Sequence, residues 1–518
     1  MNIKNTIIIA GFLAKYLMLS GFLIGTVIPS MSAQETITRK KPLYAKVGIY
    51  GVGHYAYWDQ FPGLLDKMYE KMNVLEEKIK HYGVEVVNFG IGDDATDAYE
   101  VLPKMKAADI DMLFIDMVTY ATSSSIAPIF KELDVPMVMV GLQPLKSLDY
   151  ENATTEMQLW NDDICSMPEF ANVAVRMGRK VPPFIIGTLY DDQEADNEIK
   201  KYCQIAKVLH DLRTARIGAM GHVLENMYDL QFDPPQIMAT FGCHVVMCEP
   251  DDIVLQYKKV TQKQVEEYQK RILNFFDTPD PKSDPITTKL TEKDLYEAAK
   301  VGVALEKFVE EKKLDGLAYY YEGLEDSETR KVMSNLIVGN SILTAAGFPM
   351  LGEFDIKTCI AMLIMDRLEA GGSLGEFHPV DFNEDIVLVG HDGPHHLNIT
   401  DGKPVLRSLK KYHGKPGSGA SVEFKIKEGG ITILSIGHTE SGDFKFVIAE
   451  GESQDGPIPA TGNTNTRGKF LTDTKTFLKK WFSEAPTHHF AIGVGHHAET
   501  LKQIADFLGI ESVIVTPN

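Results

Sequence analysis

Cysteine is scarce. Five residues, Cys165, Cys203, Cys243, Cys248 and Cys359, are scattered over 518 positions without a Cys-x-x-Cys pair. This excludes a thiolate zinc site and a fold stapled by disulfides, and buried free thiols are expected. Positive charge is also short, with 52 Lys and Arg against 72 Asp and Glu and a formal net charge of −20. Such a surface repels nucleic acid and anionic membranes, so no nucleic-acid partner is expected; a neutral small substrate such as a sugar is compatible with it. There is no long run of one charge sign and no repeat of solenoid period. The dinucleotide fingerprint is missing too. Gly48-Ile-Tyr-Gly51-Val-Gly53 has the wrong glycine spacing, and bulky His54-Tyr-Ala-Tyr-Trp58 stands where a helix N-terminus would meet a pyrophosphate. The segment reads instead as a turn beside a ligand pocket.

Long apolar runs are confined to the N-terminus. Lys4 and Lys15 precede the uncharged stretch from Tyr16 to Ile28, Pro29 ends it, and Ser30-Met31-Ser32-Ala33 supplies small residues. The pattern is that of an export signal spanning residues 1–33. The mature protein is therefore expected to be periplasmic or secreted, with an N-terminal membrane anchor as the alternative.

The rest of the chain has ample material for cores, with 44% hydrophobic and 24% charged residues. Its length calls for two or three domains. Apolar strands alternate with amphipathic helices: Ala45 to Tyr50, a helix with apolar residues at Leu64, Leu65, Met68, Met72, Leu75 and Ile79 stopped at Gly83, then Val84 to Asn88, Met112 to Asp116 and Val135 to Val140. The pattern restarts at Ala215 to Gly221 and continues through a helix, Glu292 to Lys312, and a strand, Gly316 to Tyr321, with Asp277 to Thr288 as a surface loop. After Gly371-Gly372 short alternating strands take over at Asp385 to Val389, Ser421 to Ile426, Thr432 to Ile436 and Phe444 to Ala449, and a last helix runs from about Ala498 to Leu508. The expected architecture is two open parallel-sheet (Rossmann-like) α/β domains, residues 44–214 and 215–374, followed by a mostly antiparallel β-barrel domain, residues 375–518.

Histidine is concentrated in that last part: ten of the 15 lie from His378 onward. Imidazoles and carboxylates together suit borderline and hard divalent cations. The same half carries Gly352-Glu353-Phe-Asp355-Ile-Lys-Thr358 at the head of an apolar helix, where Asp355 can be the N-cap, and Gly375-Glu376-Phe-His378 beyond it. Gly371-Gly372 is expected to end that helix and Glu376 to begin the next element. Glu353 and Glu376, at opposite ends of one helix, can share a site only if the chain folds back.

These motifs resemble the L-arabinose isomerase family, within the L-fucose/L-arabinose isomerase group. The likeness rests on Glu353-x-Asp355-x-Lys357-Thr358, then Glu376, then Val389-Gly390-His391 after a strand, then Thr487-His488-His489 before the last helix, in the family's order and approximate spacing. Similarity also runs through Arg216-Ile-Gly-Ala-Met-Gly221 and Tyr320-Tyr-Glu-Gly-Leu324. The resemblance implies an aldose–ketose isomerase, L-arabinose to L-ribulose as default. It implies a divalent metal, Mn²⁺ as first choice, on Glu353, Glu376, His391 and His489, with Glu353 and Glu376 as acid–base catalysts along an enediol route. His488 would face the sugar, and the chain would form a homo-oligomer, a trimer or hexamer. The chain departs from the family at Gly53-His54, where members carry Gln-His, and at Tyr120 to Ser125, which lacks the usual histidine. A non-catalytic exported sugar-binding protein on the same fold is the alternative.

Overall fold

The computed structural model describes residues 36–280, 286–412, 415–416, 418–459, 464–470 and 472–515. The expected export signal lies outside them. No helix among the described residues is long and apolar enough to cross a membrane.

The first sheet contains β1 (Lys46–Val52), β2 (Glu85–Gly92), β3 (Met112–Asp116), β4 (Met137–Gln143) and β5 (Phe184–Thr188), all parallel in the order β2-β1-β3-β4-β5. All five residues of β3 are buried, as required of a central strand with both faces covered by helices. The helix Leu64–His81 covers one face with Leu64, Met68, Met72, Leu75 and Ile79. The second sheet is built from β6 (Arg216–Met220), β7 (His244–Cys248), β9 (Gly316–Tyr319) and β10 (Met350–Leu351), also parallel, in the order β10-β9-β6-β7.

The C-terminal part closes on itself. Strands β11 (Gly371–Asp381), β12 (Ile386–His391), β17 (Gly429–His438), β18 (Phe444–Gln454), β19 (Thr464–Phe470) and β20 (Phe490–Val494) pair antiparallel in the cyclic order β17-β20-β11-β12-β19-β18. The β17–β18 hairpin closes the ring, with partners running from Gly429↔Ser453 to His438↔Phe444. Closure leaves no unpaired edge around this six-stranded barrel. A final strand, β21 (Glu511–Ile514), adds parallel to β18.

Several details differ from the sequence reading. The helix Ile356–Arg367 ends before the double glycine: Gly371 and Gly372, at φ 95° and 97°, open β11 instead, and Glu376 lies within that strand. A Cβ at Gly372 would stand 2.6 Å from the Met362 carbonyl, so the strand start packs directly on the helix. The strand expected from Ser421 is not in the barrel: β16 (Ala420–Glu423) joins β13 (Val405–Leu409) and β8 (Thr287–Lys289) in a separate small sheet. That pairing also draws Thr287 and Thr288 out of the expected loop. A short ribbon of β14 (Lys411–Tyr412) and β15 (Lys415–Pro416) lies nearby in sequence.

Behind the helix Ile356–Arg367 sits a buried charge cluster. Arg367 donates Nε–H to Asp211 at 2.5 Å and also contacts Asp366, while Arg39 clamps Asp366 through two bonds of 2.6 and 2.9 Å. Asp366 and Arg367 are almost fully buried, so each charge depends on its partners for compensation.

Candidate metal and active site

The site forms where the carboxyl ends of the second parallel sheet meet one end of the barrel. Loops leave parallel strands there with their last turn free, which makes this edge the usual ligand position in open α/β sheets. Glu353 follows β10 with Gly352 between them. It and Phe354 both have φ of 65°, a left-handed conformation that costs a non-glycine residue about 1–3 kcal/mol. The strained turn is pinned by the Phe354 amide donating to the Tyr319 carbonyl at 3.2 Å, and it leaves the Glu353 side chain almost buried in the site.

Barrel register supplies the rest. Glu376 pairs with Gly390, next to His391, while its neighbour Gly375 pairs with Phe490, next to His489. One strand position therefore stands between two histidines that are 98 residues apart in the chain. The four residues singled out in the sequence come together. Nε2 of His391 and Nε2 of His489 are 3.1 Å apart. Glu353 Oε2 is 3.2 Å from His489 Nε2, and its Oε1 is 3.9 Å from His391 Nε2. Glu376 Oε1 is 4.0 Å from His391 Nε2. Donors bound about 2.1 Å from one octahedral ion are separated by about 3.0 Å when adjacent and about 4.2 Å when opposite. The observed separations fall in that interval. The candidate ligand atoms group as two overlapping triads, Glu353–His488–His489 and Glu376–His391–His489, which share His489.

The imidazoles are turned the right way for this. His391 donates from Nδ1 to the Asp392 carbonyl at 2.6 Å, and His489 from Nδ1 to Asp355 Oδ2 at 3.1 Å. With Nδ1 committed as an N–H, each ring presents Nε2 to the site, as an inward lone pair when the ring is neutral. Two facing lone pairs cannot hydrogen-bond to one another, so the neutral pair lacks a shared partner that a cation would supply. Behind His391, buried His395 donates from Nε2 to the His391 carbonyl at 2.7 Å, and burial keeps its own pKa down at about 3.

The charge balance is strongly negative. Burial opposes ionisation of Glu353, Asp355 and Glu376, but the surrounding imidazoles outweigh it, and all three lie below the usual carboxylate range, Glu376 at about 2. Burial likewise opposes a charged His489, yet Asp355 and Glu353 outweigh it and hold that imidazole up at about 10. The pocket thus favours positive charge, and a divalent cation taking His489 Nε2 would release the proton held there.

His488 behaves differently. Its backbone amide and its Nδ1 both donate to Asp229 Oδ2, at 3.0 and 2.6 Å, and its side chain is about one-third exposed. Asp229 sits on the turn Tyr228–Leu230, whose Asp229 carbonyl accepts from the buried Lys357 amine at 2.5 Å. Three supporting residues were not identified from the sequence. The sequence marks Asp355 as a helix cap alone, and it does cap, through Oδ1 to the Thr358 amide at 3.0 Å. His378 bridges Asn465 Oδ1 at 2.6 Å and Glu376 Oε1 at 3.2 Å, steadying that carboxylate. The i, i+2 spacing of Glu376 and His378 on a strand could have revealed this. Asp229, in a distant loop, gave no local signal.

The pocket beside the cluster is lined by Tyr319, Tyr321, Arg330, Ile337 and Asp392 as well as Glu353 and His391. An array of carboxylates and imidazoles on such a pocket can hold a cation against vicinal oxygens and move protons between adjacent atoms.

No protein-family model matches the chain. Among curated proteins it is 20% identical over 413 residues to the L-arabinose isomerase of Aeromonas hydrophila subsp. hydrophila, covering 78% of this chain and 80% of that one. It is 24% identical over 357 residues to the L-arabinose isomerase of Thermotoga maritima, covering 67% and 68%. It is also 19% identical over 432 residues to the sulfoquinovose isomerase of Priestia megaterium, covering 80% and 87%.

Proposed function

We propose that this chain, which belongs to the L-arabinose isomerase family as a divergent member, is a metal-dependent aldose–ketose isomerase. The observation that carries the reading is the convergence of Nε2 of His391, Nε2 of His489 and the Glu353 and Glu376 carboxylates, with both rings anchored through Nδ1. These four residues would hold the ion, and Mn²⁺ suits an oxygen-and-imidazole donor set without thiolate. When bound, a divalent cation supplies a fixed positive charge against which negative charge on O1 and O2 of the sugar can develop.

The chain's own residues account for the proton movements. Conversion of an aldose to its ketose transfers hydrogen from C2 to C1 and a proton from O2 to O1. One carboxylate of the Glu353–Glu376 pair takes the C2 proton and returns it to C1, and the other moves the proton between the two oxygens. Both are held in the ionised form in which a carboxylate accepts a proton. His488, fixed by Asp229, lies beside His489 and is the residue we assign to hold a sugar hydroxyl.

The relatives differ in the sugar their names carry, so the substrate is to be found by turnover. L-Arabinose is the first sugar to test. A panel of aldoses with added Mn²⁺, assayed for ketose, should yield product with at least one sugar and none after chelation. Metal-loaded protein that forms no ketose from any aldose would overturn the reading.

A further inference from the structure

Arg330 lines the same pocket as Glu353 and His391. It lies in the short helix Glu328–Met333, and its backbone is fixed on every side. Its amide donates to Ser327 Oγ at 3.0 Å, and its carbonyl accepts from the Ser334 amide at 3.0 Å and the Ser334 hydroxyl at 2.8 Å. Gly323 packs so closely that a Cβ there would stand 3.1 Å from the Arg330 nitrogen and 3.2 Å from its Cα and Cβ.

The side chain is treated differently from its neighbours. Glu328 pairs with Lys258 at 2.7 Å, and Lys331 pairs with Glu297 at 2.9 Å. Arg330 is half-buried, yet among the described residues it alone of the charged groups on this helix has no oppositely charged partner within 4.0 Å. The pocket wall sets apolar Met333 and Ile337 beside it, together with the carboxylates of Glu322, Glu353 and Asp392. A guanidinium carries five N–H donors in a planar fork and stays charged at any physiological pH, so without a carboxylate in contact its donors are open to an anion that enters the pocket.

We propose that Arg330 receives an oxyanion carried by the substrate, so that the sugar is an acidic aldose: one bearing a carboxylate, phosphate or sulfonate on the carbon farthest from C1. The inference rests on the isomerase reading, which assigns C1 and C2 to the carboxylate–imidazole cluster and leaves the far end of the sugar for the rest of the pocket wall, to which Arg330 belongs. The net charge of −20 gives an anion no long-range attraction, so selection is short-range and falls to a bidentate guanidinium contact.

The test measures binding apart from turnover. Calorimetry on the full Mn²⁺-loaded chain compares matched sugars: D-glucose with D-glucuronate, D-glucose 6-phosphate and 6-deoxy-6-sulfo-D-glucose, and D-galactose with D-galacturonate. At least one acidic member should bind about tenfold or more tighter than its neutral partner. Arg330→Gln should erase that preference while Arg330→Lys keeps part of it, with metal content unchanged in both. The carboxylate, phosphate and sulfonate arms separate the possible anions. A panel in which no acidic sugar outbinds its neutral partner, or a preference that survives Arg330→Gln, overturns the proposal. Ketose assayed in the same samples reports on the isomerase reading separately: an acid preference without ketose refutes that reading and leaves the anion site standing.

Discussion

Asp355 holds His489 and a helix with the same carboxylate: Oδ2 lies 3.1 Å from His489 Nδ1, and Oδ1 accepts the Thr358 amide at 3.0 Å. The two roles can be separated. Asparagine caps a helix about as well as aspartate, so Asp355→Asn should leave the melting temperature within a few degrees of wild type. It replaces a charged acceptor with a neutral one, and loss of such an orienting partner lowers metal affinity by about 10–100-fold. Metal titration alongside thermal unfolding checks this. Unchanged affinity would show that Asp355 acts only as a cap.

The adjacent histidines should part in their effects. His489→Ala removes a proposed ligand, and purified protein should lose bound metal while retaining its far-ultraviolet circular dichroism. His488→Ala removes the ring and its Nδ1 bond to Asp229, leaves the backbone bond, and should keep metal while weakening sugar binding. Elemental analysis of both variants decides the assignment, and the opposite pattern would exchange the two roles.

Glu353→Gln preserves shape and removes charge. If the residue transfers protons as well as ligating, turnover should fall by about a hundredfold or more. The strained backbone at residues 353 and 354 should persist, because the substitution leaves the Phe354 bond to Tyr319 intact. Normal turnover in this variant would remove the basis for the catalytic role.

Acid sensitivity should originate partly at Asp366. Burial alone would raise its pKa, but His396, Arg367 and Arg39 outweigh it and hold the carboxyl well below the usual range. A depressed native pKa means the stabilisation is present above the unfolded value of about 3.9 and is lost as pH falls from there toward the native value. Asp366→Asn should cost about 3 kcal/mol at pH 7, since it leaves buried Arg367 with Asp211 as its remaining carboxylate. The gap between variant and wild type should narrow below pH 4 in denaturant titrations. A constant gap would mean the charge is not responsible.

Export is tested by N-terminal sequencing of protein from the producing cells. The mature chain should begin near Ala33 or Gln34, after the apolar run that ends at Pro29. Intact Met1 on protein from a soluble cytoplasmic fraction would refute cleavage.

Periodicity and composition determined the element types, because each strand or helix buries its own apolar pattern. Met112–Asp116, Glu292–Lys312 and Ala498–Leu508 needed only local rules, and so did the Asp355 cap. The motif resemblance singled out Glu353, Glu376, His391, His488 and His489 as candidates. Where those side chains point was decided elsewhere. Glu376 lies between His391 and His489 because antiparallel pairing sets β11 between β12 and β20, and register is a relation between strands that no single segment encodes. Whether Ser421 lies in the barrel or outside it depended on which strand accepts its edge hydrogen bonds. The Asp229–His488 contact spans 259 residues. Such contacts depend on how whole sheets pack, because a hydrogen bond is satisfied by whichever partner folding brings within reach.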